Sequence, residues 1–222
     1  MFTITKYGFP QVAVFTGMII CFMVVPVICF KSIILIILTE AVLIIALLFV
    51  VYFFRDPRRE IVYDENILYS PCDGTVTEVE SGHDRIRISV FLSLFNVHIN
   101  RIPCGALVES INYTRGHFRN ANNPDSARLN ESNELTVYKS AEPPENIVIR
   151  QVSGAIARRI VCRVKVGDVL SQGEKFGMIK FGSRTELILP NGKDREICVK
   201  SGDKIKAGLT AVIRYIHTEE ES

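Results

Sequence analysis

The sequence predicts a mainly β chain, a compact sandwich or barrel-like domain behind a pair of N-terminal membrane helices. Three observations carry that expectation. Apolar residues crowd the first 54 positions, short alternating runs occupy the remainder, and turn residues punctuate those runs at roughly eight- to twelve-residue spacing.

Between Pro10 and Phe54 the only charged side chains are Lys31 and Glu40, which leaves two apolar runs, Pro10 to Phe30 and Ile33 to Phe54. Each is long enough to cross a hydrocarbon core of about 30 Å as a helix. A cleaved leader fits poorly, because the apolar region is too long and no small-residue cleavage site precedes Arg55. Residues 1–54 therefore read as an anchoring helical hairpin, with a re-entrant hairpin helped by Pro26 as the alternative. Lys6 before the first run and Arg55, Arg58 and Arg59 after the second place both ends in the cytoplasm. The arginine flank is also suited to anionic lipid headgroups.

Residues 55–222 form the polar domain. Strands are expected at Thr75 to Glu80, Ile86 to Val90, Val108 to Tyr113, Glu134 to Lys139, Ile147 to Val152, Ile160 to Val164, Glu186 to Leu189 and Thr210 to Tyr215. Two segments, Val166 to Gly173 and Val199 to Gly208, share a Gly-Asp turn pattern like that of small biotinyl- or lipoyl-type β-domains. Gly116 to Ser132, with Pro124 inside it, reads as a long loop that Asn130-Glu131 closes.

Composition excludes several classes. Without Lys6, Lys31 and Glu40 the chain has 24 basic residues (26 − 2) against 23 acidic ones (24 − 1), which argues against a nucleic-acid binder. The six cysteines show no metal-ligand spacing and read as reduced thiols, so no metal is expected. A Gly-rich phosphate loop is absent from the sequence.

The candidate chemistry lies in four places. Pro71-Cys72-Asp73-Gly74 is a turn signature, with Asp73 either a turn residue or a buried carboxylate that orients a base. His98 falls in an apolar run where Asn96, His98 and Asn100 alternate onto one face of an expected strand. Arg158 and Arg159 form a cationic pair suited to phosphate or carboxylate. Gly182-Ser183 reads as a turn between two strands, in which Ser183 Oγ can lie against the unobstructed Gly182 carbonyl.

Together, FFRDP (Phe53 to Pro57), PCDG (Pro71 to Gly74), FLSLFNVHINRIP (Phe91 to Pro103), GAIARRIV (Gly154 to Val161) and GMIKFGSR (Gly177 to Arg184) resemble the phosphatidylserine decarboxylase family in its short bacterial form. The resemblance implies a pyruvoyl enzyme made from its own backbone. Ser183 attacks the Gly182 carbonyl, the resulting ester undergoes β-elimination, and hydrolysis of the dehydroalanine leaves a pyruvoyl group. The products are a β chain of 1–182 and an α chain of 183–222, held together as a heterodimer that leaves room for a higher homo-oligomer.

The same resemblance implies decarboxylation of phosphatidylserine to phosphatidylethanolamine through a Schiff base with that pyruvoyl group. His98 serves as the proton donor and Asp73 assists self-cleavage. Arg101 stands where longer relatives carry a second histidine, and is assigned to an oxyanion or to substrate with Arg158, Arg159 and His117. The expected location is the cytoplasmic face of the inner membrane, where the lipid substrate resides. The competing assignment is a membrane-tethered biotinyl- or lipoyl-like carrier or adaptor modified at Lys180, which leaves the His98 segment unexplained.

Overall fold

The computed structural model describes residues 2–117, 129–154, 159–180 and 183–216. It divides into two compact units, residues 1–58 and 59–222.

In the first unit, β1 (Phe2–Ile4) is followed by α1 (Phe9–Cys29), α2 (Ile33–Phe53) and β2 (Arg55–Pro57). Both helices have 21 residues, with mean hydropathy 2.7 and 3.1 in their most apolar windows, and hardly any of either is buried within the protein. Both are long and apolar enough to cross a membrane. The antiparallel pairing of β1 with β2 joins the two ends of the hairpin, reinforced by donation from Thr3 Oγ1 to the Asp56 carbonyl at 2.8 Å.

The second unit is built from strands. They are β3 (Ile67–Tyr69), β4 (Gly74–Ser81), β5 (Arg85–Leu92), β6 (Ile99–Arg101), β7 (Ala106–Thr114), β8 (Ser132–Lys139) and β9 (Glu145–Ser153). They continue as β10 (Ile160–Cys162), β11 (Val169–Leu170), β12 (Lys175–Ile179), β13 (Ser183–Pro190), β14 (Arg195–Ile197), β15 (Lys204–Ile205) and β16 (Ala211–Tyr215). An eight-stranded sheet has the order β11-β7-β8-β9-β13-β5-β4-β15, and two three-stranded sheets have the orders β10-β12-β6 and β14-β16-β3. The chain is thus mainly β, as the alternation predicts, with no closed barrel among the described residues.

The sheet order is symmetric about β9 and β13, and so are its hydrogen bonds. Tyr69 N donates to Pro103 O while Arg101 N donates to Pro71 O; Val76 N donates to Asp203 O while Val108 N donates to Asp168 O; Gly208 N donates to Ser70 O while Gly173 N donates to Ile102 O. The two Gly-Asp turns occupy matching places and close alike, Lys165 N on Asp168 Oδ2 and Lys200 N on Asp203 Oδ2. Gly173 and Gly208 end them at positive φ, +77° and +70°, and both abut Ile61, which leaves no room for a Cβ. The second unit therefore has an internal pseudo-dyad.

The core lies on one face of the large sheet. Ile86, Ile88, Val90, Leu135, Val137, Ile147, Ile149, Leu187 and Leu189 fill it at period two, closed over by Leu68, Phe176, Val212 and Ile213 from the smaller sheets. Burial of each such side chain contributes about 1.5–3 kcal/mol. Toward one end the same face turns polar, through Asn133, Gln151, Ser153, Thr185 and Ser183, all buried.

Gly177 marks where a small sheet meets that polar end. A Cβ there would collide with the Val161 carbonyl and lie 3.3 Å from Gln151 Nε2. Gly177→Ala should destabilise the full chain by about 1–3 kcal/mol through overpacking, measured by denaturant unfolding in detergent, whereas Gly17→Ala in α1, where a Cβ meets nothing within 4 Å, should not.

Candidate active site

Ser183 opens β13 and is fully buried. Its strand is central, paired with Leu92 of β5 on one side and Ser153 of β9 on the other. The two strands that flank the expected turn lie in different sheets: β12 pairs with β10 and β6 and not with β13, so the chain changes sheets between Ile179 and Ser183. Gly182 lies outside the described residues. The hydroxyls of Ser183 and its cross-strand neighbour Ser153 are both buried with no hydrogen-bond partner among the described residues. A buried hydroxyl without a partner calls for an explanation, and a catalytic role is one that supplies it.

His98 is also fully buried, just before β6, and its Nδ1 lies 2.9 Å from the Asn96 carbonyl. Its own carbonyl accepts from Ile179 N at 3.2 Å. The three-residue polar face expected here is corrected in part. Asn96 is not on a strand: its Oδ1 accepts from Ser93 N and Ser93 Oγ at 2.9 and 2.7 Å, closing a turn, as Asn and Ser favour. Asn100 does belong to β6 and is fully buried.

Asn100 is the hub. Gln151 Nε2 donates to its Oδ1 at 2.8 Å, Asn133 Nδ2 donates to Gln151 Oε1 at 3.1 Å, and Asn100 Nδ2 reaches Thr185 Oγ1 at 3.3 Å and the Pro71 carbonyl at 3.4 Å. This chain of amides links β8, β9, β6 and β13. It holds Asn100, two residues from His98, against Thr185, two residues from Ser183. The Cys72 thiol also faces Thr185 and Ser70, and burial pushes its pKa up, so it remains a neutral thiol.

Asp73 is buried in the Pro71–Gly74 turn and held by three donors. Arg59 grips it with both guanidinium nitrogens, at 2.6 and 2.7 Å, and Ala207 N donates to Oδ1 at 2.9 Å. The Arg59 side chain is 6% exposed. This corrects the lipid-facing role expected for the last arginine of the flank, because a desolvated fork on a buried carboxylate is not available to headgroups. Sequence reading missed the pair because the two residues lie fourteen positions apart, on either side of β3.

Arg101 Nη1 donates to the Gly173 carbonyl at 2.7 Å, bracing a Gly-Asp turn. His117 is exposed and bridges to Asn130, so it sits at the neck of the 118–128 segment. The expected pin at Asn130-Glu131 is present: Asn130 Nδ2 donates to Ser153 O at 2.7 Å and Ser153 N donates to Glu131 O at 2.9 Å. Arg159 is exposed, and Arg158 lies outside the described residues. Lys180, the residue a carrier would modify, is only 5% exposed, whereas a swinging arm needs a lysine presented at a turn. An open cleft of about 670 Å³ is lined by Cys104, Lys139 and Val169 among others, and by none of the residues expected to do chemistry.

A buried serine with an unsatisfied hydroxyl, at the end of a segment that leaves one sheet for another, suits a chain that cuts itself. Comparison with known proteins finds decarboxylases named as proenzymes. A family model described as phosphatidylserine decarboxylase matches residues 46–213. The phosphatidylserine decarboxylase proenzyme of Rhodopirellula baltica is 42% identical over 171 residues, covering 75% of this chain and 71% of that one. Those of Carboxydothermus hydrogenoformans and Chlorobium chlorochromatii are 41% and 40% identical over 174 and 178 residues, covering 75% and 78% of this chain and 80% and 82% of theirs. The chain belongs to the phosphatidylserine decarboxylase family, whose members are pyruvoyl-dependent carboxy-lyases.

Replacing Arg59 by Met would leave Asp73 buried without its cation. We expect Arg59→Met to lose about 3–5 kcal/mol of stability, read by denaturant unfolding, and Arg59→Lys to recover only part, since a point charge cannot reproduce the fork.

Proposed function

We propose that Ser183 is both the nucleophile of self-cleavage and the precursor of the pyruvoyl group, and that His98 donates the proton that replaces carbon dioxide. The protein decarboxylates phosphatidylserine to phosphatidylethanolamine. The observation that carries the residue assignment is the buried, unpartnered Ser183 hydroxyl at the Gly182-Ser183 pair. That atom fits the group: it is free of competing hydrogen bonds among the described residues, and strands on both sides fix its backbone. When formed, the pyruvoyl ketone supplies the electron sink for the breaking Cα–carboxylate bond.

The surrounding residues have separate tasks. Asn100 and Thr185 set the His98 segment beside the strand that begins at Ser183. His98 Nδ1 faces the Asn96 carbonyl, which orients the ring, and the imidazole is assigned to hold and deliver a proton at Cα. Asp73 is a positioning residue: with Arg59 it fixes the turn whose Pro71 carbonyl receives Asn100 and Arg101 N. Among the cationic candidates Arg159 is exposed and is assigned to the substrate, while Arg101 is committed to Gly173 and His117 stands at the loop neck.

Cleavage after Gly182 gives chains of 1–182 and 183–222 that remain a heterodimer. β13 lies between β5 and β9, β15 pairs with β4, and β16 pairs with β3, so every α-chain strand except β14 is laddered onto the β chain. Residues 1–54 anchor the enzyme from the cytoplasmic side of the inner membrane, with Arg55 and Arg58 as the remaining interfacial cations. The polar domain from residue 55 onward is read as a duplicated biotinyl- or lipoyl-like hairpin sandwich, supported by the two matching Gly-Asp turns.

Intact mass spectrometry of the purified chain should give two fragments dividing after Gly182, the shorter one blocked by pyruvoyl. Ser183→Ala should remain uncut and inactive, and an uncut wild type that still decarboxylates would overturn the assignment. His98→Ala should lower kcat by about 10²–10⁴-fold, and a normal rate would remove His98 from the proton step.

A further inference from the structure

Three cations gather on one face of the β10–β12 ladder, and no carboxylate among the described residues pairs with them. The register Ile160 to Ile179 continues outward to place Arg159 opposite Lys180, whose N–H donates to the Arg159 carbonyl at 3.3 Å. Arg163 follows β10 and donates its N–H to the Phe176 carbonyl at 2.9 Å. Alternation brings residues 159, 161 and 163 to the same face as 178 and 180, while Gly177 and Asn100 occupy the other.

The two arginines are exposed, but Lys180 is 5% exposed. Burial brings its amine down to about 8, and the charges of Arg159 and Arg163 act in the same direction. None of the three makes an ion pair with a described residue, although Arg59, Arg87, Arg150, Arg184 and Arg195 all do. A buried ammonium beside two guanidinium groups is unfavourable until an anion completes it.

We propose that Arg159, Arg163 and Lys180 form a subsite for a phosphate-type oxyanion, taken from a lipid headgroup. The inference rests on the reading of Ser183 as the reacting centre, because at most about 11 Å of extended chain separates Lys180 from Ser183. A headgroup whose phosphate is held at Lys180 is thereby tethered close to the position where its amine reacts. The forks of Arg159 and Arg163 take oxygens at the rim, and Lys180 supplies the buried charge.

The test uses the full chain in detergent, both as wild type and as the uncut Ser183→Ala variant, with lysine acetylation read by peptide mass spectrometry. Inorganic phosphate should slow acetylation of Lys180 at least about fivefold relative to exposed Lys193, and phosphatidylserine micelles should do the same where detergent alone does not. In the cleaved enzyme, Lys180→Met should raise KM for phosphatidylserine about tenfold with kcat nearly retained, and Lys180→Arg should restore it. Protection by phosphatidylserine together with the raised KM assigns the subsite to the lipid headgroup. Protection by inorganic phosphate alone, with KM unchanged, keeps an oxyanion subsite and overturns the headgroup as its source. No protection by either, with KM unchanged, overturns the proposal. Acetylation of the Ser183→Ala chain needs no activity, so failure of the pyruvoyl assignment, seen as an uncut wild type, is read separately.

Discussion

The 2.8 Å hydrogen bond between Gln151 and Asn100 is the contact on which the site depends. It lies at full burial between the eight-stranded sheet and a three-stranded one, where an unpaired amide is expensive. The cost is avoided only because Asn133, Thr185 and the Pro71 carbonyl take up the remaining amide positions. A partly satisfied network would be worse than an apolar core, so these residues act as a set. The set also requires Gly177, whose missing side chain lets β12 pass close to Gln151. One bond therefore fixes both the separation of the sheets and the placement of the His98 segment relative to the strand of Ser183.

That arrangement also explains how a chain can be cut without falling apart. The break is proposed at the first residue of β13, so the ladder pairs from Arg184 onward are untouched. β13 keeps two full-length neighbours, and its core side chains Leu187 and Leu189 remain packed. In the proposed heterodimer, retention of the fragment would follow from strand order and not from a special interface.

The fold was legible wherever burial imposes a period. Eight strands read from alternation correspond to β4, β5, β7, β8, β9, β10, β13 and β16, with differences confined to their ends. Ser183, His98 and Asp73 are candidates through motif resemblance, and Asn100 through its spacing from His98. Gln151, Asn133 and Thr185 were not singled out, because a polar residue in a strand is ordinarily assigned to the solvent face. A signal was nonetheless present. Ile147 and Ile149 are followed at the same parity by Gln151 and Ser153, Leu135 is preceded by Asn133, and Leu187 is preceded by Thr185 and Ser183. Each strand turns polar at the end that the antiparallel register later brings together, and the register is what sequence alone does not contain. The Arg59–Asp73 pair was hidden for a different reason, since an arginine close behind an apolar helix satisfies the membrane-flank pattern whatever it binds.

The pseudo-dyad gives a physical reason for locating chemistry at one end of the large sheet. Glu145 begins β9 opposite Lys139 as Ser183 begins β13 opposite Leu92, so the two residues hold corresponding ladder positions. At the Glu145 end every polar demand is met. Glu145 accepts from Tyr215 Oη and from Arg195, and Lys139 Nζ donates to the carbonyls of Ala141, Glu142 and Pro143. Burial lowers the Lys139 amine and raises the Tyr215 phenol, which accords with a closed structural cluster. At the Ser183 end two buried hydroxyls have no partner among the described residues. The same scaffold has thus been saturated at one end and left unsatisfied at the other. The turns differ accordingly: Pro71-Cys72-Asp73-Gly74 keeps an aspartate that Pro103-Cys104-Gly105 lacks. Rigidity around the Ser183 end comes from Asp73, Arg59 and the amide chain, which leaves the Ser183 hydroxyl uncommitted among the described residues, as its proposed role requires.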